Sequence, residues 1–333
     1  MTKELRNKFT YTSWILAVIV VVRHTVNYET YSCLGGAWLY FLKWMDKMTE
    51  IAVPTFFTIS GYLFYQNFEY SKIIDKWKSR IKGLVVPYVI WVTIGYLYYV
   101  VLKHIPAVGN RISMTIEPLN ATNLLKNILY GNYNGPLWFM RSLMVLVFVT
   151  PAFYWIIRRW RLGIVVCVSA ILLLHYRFGI IGLDILQWLL GVWIAARYKD
   201  IVENLICPKW ISGMAIVAIV LIANLKMWMP EYEVAENILL IGEVILTWMA
   251  MDLVRIKETP KWWMTISFFI FCTHSLILES IEKVFLLLLG NTMMGSVVDF
   301  ILAPIIALGI ITGAAYILKY RMSTVWKIVT GNR

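Results

Sequence analysis

The stretch LVVPYVIWVTIGYLYYVV at residues 84–101 decides the fold, because 18 successive residues there carry no charged side chain. A helix needs roughly 20 such residues to cross the hydrocarbon of a membrane. Similar stretches recur at residues 14–22, 143–157, 211–223 and 300–318. The composition agrees, since 60% of the residues are hydrophobic and only 15% are charged. The sequence therefore predicts an all-α, polytopic membrane protein.

Successive apolar stretches predict about ten transmembrane helices in one bundle. Flanking residues that a membrane tolerates, including many of the 16 Trp and 19 Tyr residues, extend several stretches to spanning length. The predicted spans lie at residues 11–29, 48–66, 84–102, 136–157, 162–176, 179–196, 210–225, 236–254, 263–281 and 296–318.

Lys and Arg alternate between the two sides of this predicted bundle. Connections on one side, together with both tails, hold 21 of the 31 basic residues, and connections on the other side hold 8. Only Arg23 and Arg141 lie inside predicted spans. The positive-inside rule then predicts that both termini are cytoplasmic and that the protein is integral to the cell membrane. Loops that face anionic lipid are enriched in basic residues, so the net charge of +12 does not imply nucleic-acid binding.

The remaining composition predicts a single domain, residues 1–333, without a separate soluble domain. The four cysteines show no spacing typical of a disulfide framework or a metal site. The N-terminal apolar run lacks a small-residue cleavage site, so we expect it to remain as an anchor. The largest connection, residues 103–135, is predicted to lie outside, with a short helix at 121–129 that Asn120 or Thr122 caps.

Three ionisable side chains are predicted to converge in the outer half of the membrane. His24, Glu50 and Arg141 come from three different spans, and charges at membrane depth often mark functional sites. Together they offer a general base, a carboxylate to orient it and a cation for a developing oxyanion or a phosphate. The alternatives are that His24 only hydrogen-bonds a neighbouring helix and that Glu50 only neutralises Arg141.

Several other polar residues have a structural explanation. Arg23 is placed to extend its side chain to lipid headgroups. Asp184, Glu243 and Asp299 suit helix starts or the membrane interface, where carboxylates favour the helix dipole. These alternatives remain open at the level of sequence.

Four short motifs accompany His24 at the end of the first span. They are VPTFFTISGY at 53–62, RIKGLVVPYVIW at 80–91, LWFMRSL at 137–143 and SFFIFCTH at 267–274. Together, in this order and in these spans, they resemble the acyltransferase-3 family of membrane O-acyltransferases, and the resemblance covers most of the chain. By this resemblance, the chain moves an acyl group, usually acetyl, from cytoplasmic acyl-CoA to a sugar hydroxyl of an extracytoplasmic or lipid-linked glycan.

The resemblance also implies roles for individual residues. His24 is the expected catalytic base, and Arg80, with Lys78 and Lys82 nearby, is expected to bind the donor phosphates. We expect Ser60, Trp138, Phe139 and His274, all from the motifs, to contact substrate; Tyr130 and Tyr133 suit either stacking on a sugar or the aromatic belt. Acetyl-CoA is expected as a substrate, and no permanently bound cofactor or metal is expected.

The chain departs from the family pattern in two places. Family members commonly carry Arg or Lys eleven positions before the first-span histidine, where this chain has Ser13, and a second Arg after Arg80, where it has Lys82 and Gly83. Two other functions remain as alternatives: a transporter or flippase of glycan intermediates, and a non-catalytic partner in glycan assembly. Against a transporter, the sequence shows no internal repeat.

Overall fold

The computed structural model describes residues 1–28, 30–31, 33–105, 114–130, 133–178, 182–229, 233–254 and 257–332. These residues form helices and connections, and no strand occurs among them. The α-helices are α1 Lys3–His24, α2 Gly36–Thr49, α3 Ala52–Tyr65, α4 Ile73–Arg80, α5 Val86–Lys103, α6 Ala121–Tyr130, α7 Trp138–Val149, α8 Pro151–Arg159, α9 Gly163–Phe178, α10 Ile185–Arg197, α11 Lys199–Asn204, α12 Lys209–Trp228, α13 Glu233–Ala250, α14 Ser267–Leu289, α15 Met293–Arg321 and α16 Ser323–Thr330.

Six helical segments in the described parts of the chain are long and apolar enough to cross a membrane. A seventh span results if α7 and α8 are counted together, although they bend by 56° where Pro151 cannot donate a backbone hydrogen bond. Two shorter apolar helices, Gly163–Arg177 and Ile185–Arg197, add to these. The prediction of an all-α, multi-pass membrane protein is confirmed, whereas the count of about ten and the cytoplasmic termini remain predictions.

Helix α3 covers the predicted span 48–66 but has only 14 residues. At 1.5 Å per residue it is roughly 21 Å long, shorter than the hydrocarbon core. It packs closely along α10, since a Cβ atom on Gly61 would lie 2.5 Å from the carbonyl oxygen of Trp188. The Thr58 hydroxyl also donates to the Gln187 carbonyl at 2.9 Å. Small residues at such contacts allow two membrane helices to approach closely.

A buried ion pair holds the N-terminal half of α1. Lys8 Nζ lies 2.7 Å from Asp252 Oδ1, with side-chain exposures of 4% and 2%. The same ammonium lies 4.2 Å from the centre of the Trp248 ring. The pair therefore ties α1 to the segment after α13, at the opposite end of α1 from His24.

The basic segment before α5 is helical throughout. Helix α4 ends at Arg80 and continues as a π-helical stretch, Ile81–Val85, into α5. The C-terminal helix α16 packs on this region, because the Trp91 indole donates to the Val329 carbonyl at 2.9 Å. Gly331, which has a positive φ of 66°, contacts the backbone of Gly83.

The connection 103–135 contains the predicted short helix, as α6. The Asn123 backbone N–H donates to the Asn120 side chain at 2.8 Å, so the prediction that Asn120 caps this helix is confirmed. Residues 106–113 and 131–132 of this connection lie outside the described residues.

Candidate functional site

His24 ends α1 and stacks against a second histidine. The ring centres of His24 and His274 are 5.0 Å apart, and the rings are inclined by 50°. His274 is fully buried on α14, and its Nδ1 lies 2.8 Å from the Phe271 carbonyl oxygen and 3.2 Å from that of Ile270. Both neighbours are acceptors, so Nδ1 carries the proton and Nε2 keeps a lone pair. That Nε2 has no hydrogen-bond partner in the described structure.

A cavity of about 330 Å³ lies within the bundle, one helical turn from His274. We call it the Arg80 cavity. It is lined by polar side chains from four segments and by a larger apolar surface: Ser13, Ser60, Arg80, Thr265 and Ser267, with Phe56, Ile59, Leu63, Leu84, Phe139, Met140, Leu143, Val147, Trp188, Phe268 and Phe271. Neither histidine lines it, but the Phe271 ring lies 6.0 Å from the His274 ring.

Arg80 is the one cation in the lining of this cavity, counted over the described residues. Its guanidinium lies 5.4 Å from the centre of the Phe64 ring, and it makes no ion pair with a described carboxylate. Lys78 and Lys82, predicted to assist it, are exposed and do not line the cavity. Lys78 and Lys82 are each two residues from Arg80, and residues at that spacing lie on different faces of a helix. Their side chains therefore point away from the Arg80 side chain. The structure thus groups Arg80 with Ser13 and separates it from the two lysines.

The other predicted substrate residues divide into two groups. Ser60 and Phe139 line the Arg80 cavity, and His274 lies just above it. Trp138 is 42% exposed and is not part of the lining, and Tyr130 is 64% exposed. Tyr133 is buried, with its ring stacked on Tyr96 at 4.9 Å, so its face is already occupied by protein.

Glu50 belongs to a network of ion pairs beside the end of α1. Its carboxylate lies 3.0 Å from Lys47 Nζ, 3.2 Å from Lys226 Nζ and 3.8 Å from Arg23. Lys226 also binds Glu243 at 2.9 Å, and both of these side chains are at most 2% exposed. We refer to this set as the charge network; its members are Arg23, Asp46, Lys47, Glu50, Lys226, Glu236 and Glu243.

The surroundings shift the pKa values of two members of the charge network. Burial opposes the charge of Lys47, but hydrogen bonds to Glu236 and Glu50 outweigh it and raise the pKa of this ammonium above its usual value. Burial raises the pKa of the Asp46 carboxyl, and the nearby Arg23 guanidinium opposes that rise. Arg23 lies 3.2 Å from Asp46, so it binds protein carboxylates rather than only lipid headgroups.

The structure does not join His24, Glu50 and Arg141 into one set. Among the described residues, no hydrogen bond or ion pair links His24 to either of the other two. Arg141 donates to the carbonyls of Leu129 and Tyr130 and so holds the C-terminal end of α6. Glu50 reaches His24 only indirectly, through the preceding residue, Arg23. No described contact therefore supports a site shared by the three residues, since Glu50 pairs with basic side chains and Arg141 with backbone carbonyls, and the shared catalytic site remains a prediction.

Sequence analysis did not identify Lys226 as a candidate site residue, and it did not predict that Glu243 and Asp299 are buried. Lys226 lies inside α12, one residue beyond the predicted span, so the sequence assigned it to a loop. Its position within a long apolar helix could have indicated a functional or paired lysine. Glu243 is 1% exposed and paired with Lys226, and Asp299, also 1% exposed, accepts from Asn27 at 3.4 Å. Both were expected at helix starts or the interface, whereas Asp184 does directly precede α10.

The fold and the site define a multi-pass helical membrane protein with a cavity near a pair of histidines. A family model described as an acyltransferase domain, that of the acyltransferase-3 family, matches residues 11–320, so the chain belongs to this family and is an acyltransferase. It is also 22% identical over 345 residues to the succinoglycan biosynthesis protein ExoH of Rhizobium meliloti (strain 1021), covering 96% of this chain and 90% of that protein. No solved structure matches the chain.

Proposed function

We propose that the protein transfers an acyl group, acetyl in the first instance, from cytoplasmic acyl-CoA to a hydroxyl of an extracytoplasmic or lipid-linked glycan. Family membership supports acyl transfer over the transporter and non-catalytic alternatives. The similarity to a succinoglycan biosynthesis protein supports a polysaccharide acceptor. We further propose one domain in the cell membrane, with both termini in the cytoplasm.

The observation that carries this proposal is the Arg80 cavity, whose lining includes both a cation and a neighbour of the histidine pair. Arg80 and Phe271 both line it; the Phe271 ring lies 6.0 Å from that of His274, and the His274 ring lies 5.0 Å from that of His24. Ser13, on the cavity wall, precedes His24 by eleven residues, or about 16 Å along α1. A donor with its phosphates at Arg80 thus has an apolar path for its thioester arm toward His24.

His24 is suited to act as the general base. In the proposed step, its neutral imidazole takes the proton from the acceptor hydroxyl while that oxygen attacks the thioester carbonyl. The new ester C–O bond forms, the C–S bond breaks, and the leaving thiolate takes the proton from His24 as the free thiol. His24 is exposed at the end of α1, so a glycan has access to it, while His274 is buried behind it.

The remaining predicted residues take supporting roles in this proposal. Ser60 and Phe139 form the wall of the donor path, and Arg80 alone of the three basic residues binds the donor inside the cavity. Glu50 acts on the end of α1 through Arg23, and Arg141 secures α6.

The test is an assay of purified protein with radiolabelled acetyl-CoA and unacylated polysaccharide from cells that lack the gene. We expect thiol release and base-labile label in the polysaccharide. A protein that binds or moves the glycan without releasing thiol would contradict the proposal.

A further inference from the structure

A second cavity, of about 320 Å³, lies beside the end of α1 and outside the path proposed for the donor. We call it the Lys226 cavity. Helix α2 contributes Lys43, Asp46 and Lys47 to its lining, α12 contributes Lys226, and α13 contributes Glu236. Met227, Met229 and Leu239 add an apolar surface. Four of the five charged residues, all except Lys43, belong to buried or half-buried ion pairs, so their side chains are held in place.

The cations of this cavity have hydrogen-bond donors to spare. A lysine ammonium has three N–H donors. Lys47 uses two of them on Glu50 and Glu236, and Lys226 uses two on Glu50 and Glu243. Lys43 makes no hydrogen bond or ion pair with any described residue. One donor on each paired lysine and all those of Lys43 thus remain for a ligand.

The carboxylates of the cavity offer acceptors in the same space. Asp46 binds Arg23 through Oδ1, and Glu236 binds Lys47 through Oε1, so the second oxygen of each carboxylate remains for a ligand. Lys43 together with the charge network gives four cations and four carboxylates. The lining itself holds three lysines and two carboxylates, and the charges balance only when the network members behind it are included. Because two of the three lysines are already paired, a lining with donors, acceptors and an apolar side fits the hydroxyls and C–H groups of an uncharged sugar better than a net anion.

The position of the cavity connects it to the proposed chemistry. Asp46 on its wall binds Arg23, the residue directly before His24. The cavity therefore lies beside the end of α1 on the side of α2, and Tyr28, four residues after His24, belongs to its lining, whereas the Arg80 cavity meets α1 at Ser13. A glycan chain bound in the Lys226 cavity is thereby placed to present a neighbouring sugar unit to His24.

We infer that the Lys226 cavity is the acceptor subsite of this transferase and binds an uncharged, hydroxyl-rich sugar unit next to the one that receives the acyl group. The inference rests on the proposed function. It adds a location and a substrate chemistry to it: the glycan is recognised by its hydroxyls, through Lys43, Lys47 and Lys226 as donors and Asp46 and Glu236 as acceptors.

The test compares matched variants for the apparent KM of the unacylated polysaccharide. Lys43→Gln removes a cation that holds no other part of the protein, and Lys126→Gln removes an exposed lysine elsewhere, on α6. Leu239→Trp fills the cavity, and Ile238→Trp places the same bulk on an exposed side of α13. We expect the Lys43 and Leu239 variants to raise the acceptor KM about tenfold and the two controls to leave it unchanged.

Two further measurements separate the possible failures. Acceptor-independent thiol release and the donor KM should be unchanged in the Lys43 and Leu239 variants, because the donor uses the other cavity. Polysaccharide whose carboxyl groups have been chemically reduced to alcohols should keep its KM. An increase in that KM would show that an anionic group is recognised and would overturn the assignment of an uncharged sugar.

Transfer with an unchanged acceptor KM in both the Lys43 and the Leu239 variants would overturn the subsite and leave the proposed function standing. Thiol release by the unaltered protein without any transfer to the polysaccharide would instead contradict the proposed acceptor, and the subsite with it.

Discussion

The imidazole rings of His24 and His274 lie 5.0 Å apart, with His24 exposed at the end of α1 and His274 fully buried on α14. The buried ring is fixed by the carbonyls of Ile270 and Phe271, and its Nε2 lone pair is unused in the described structure. We expect this acceptor to orient His24 for proton transfer, although no hydrogen bond joins the two rings in the described structure.

Replacing His24 should abolish most acyl transfer while leaving the protein folded. General-base help is worth roughly 10²–10⁴-fold, so His24→Ala should lower kcat by that factor. His24 is exposed, and its side chain makes no hydrogen bond in the described structure, so little stability depends on it. The measurement is kcat from label transfer, with the elution profile in detergent as the check on folding. Near wild-type transfer would remove His24 from the mechanism.

His274 should behave as a positioning residue whose Nε2 matters. The amide of Gln can place an acceptor where Nε2 lies, whereas that of Asn reaches only the position of Nδ1. His274→Gln should therefore retain much of the activity, and His274→Asn should lose about fivefold in kcat, since an oriented hydrogen bond is worth about 1 kcal/mol. Both variants disturb the same buried site, so each is the other's control. Equal losses, with no change in the pH profile of kcat, would indicate a packing role alone.

Arg80 should determine donor affinity. A charge-assisted hydrogen bond contributes about 1.5–3 kcal/mol, so Arg80→Gln should raise the apparent KM for acyl-CoA at least about tenfold. Arg158→Gln and Lys209→Gln serve as controls, because both residues are exposed and neither lines the Arg80 cavity. Steady-state thiol release at varied donor concentration measures the effect. If all three variants shift KM equally, ordinary surface charge is the better explanation.

The parts of the fold that the sequence predicts well are those that depend on a short, continuous stretch of residues. Long uncharged stretches identify the helices, and Asn120 ahead of an apolar pattern identifies the start of α6. Whether a helix is long enough to cross the membrane is harder to predict, because α3 is short and α7 and α8 are bent at Pro151. Packing against other helices determines both features, and it depends on residues that are far apart in the sequence.

The candidate site also has features that the sequence predicts and features that it does not. Motifs locate Arg80, Ser60 and Phe139, which line one cavity. The position of a residue along a span gives only its depth in the membrane. It therefore predicts that Glu50 and Arg141 lie at the depth of His24, but it does not show which way either side chain points. The pairing of Glu50 with Lys226 depends on how α12 is rotated against α2, and a sequence contains no such angle.

The glycine of the SGY motif should be required for helix packing. Gly61→Ala would place a Cβ atom 2.5 Å from the Trp188 carbonyl oxygen, a contact that must push α3 from α10. Overpacking of this kind costs about 1–3 kcal/mol, so we expect a lower Tm in detergent. The control is Gly213→Ala on α12, where no atom lies within 4 Å of the new Cβ and the better helix former should be neutral or stabilising. An unchanged Tm for Gly61→Ala would contradict the close packing.

The last prediction concerns the two buried lysine pairs, which differ in their distance from the chemistry. Lys226 pairs with Glu243 and Glu50 beside the end of α1, and Lys8 pairs with Asp252 near its start. Lys226→Met and Lys8→Met each leave a buried carboxylate without its cation, which costs about 3–5 kcal/mol, so both should lower the yield of folded protein.

Only the Lys226→Met variant should also change the kcat of the protein that does fold. Loss of its ammonium leaves Glu50 Oε2 without a cation, while Oε1 keeps Lys47 and Arg23, the residue before His24. We therefore expect kcat per folded molecule to fall about tenfold in Lys226→Met, with an unchanged donor KM, and to stay near wild type in Lys8→Met. Lys226→Arg, which keeps the cation, should recover part of the loss. The measurement is kcat normalised to the monodisperse fraction. Equal normalised kcat in the two Met variants would mean that the charge network holds the bundle together without positioning His24.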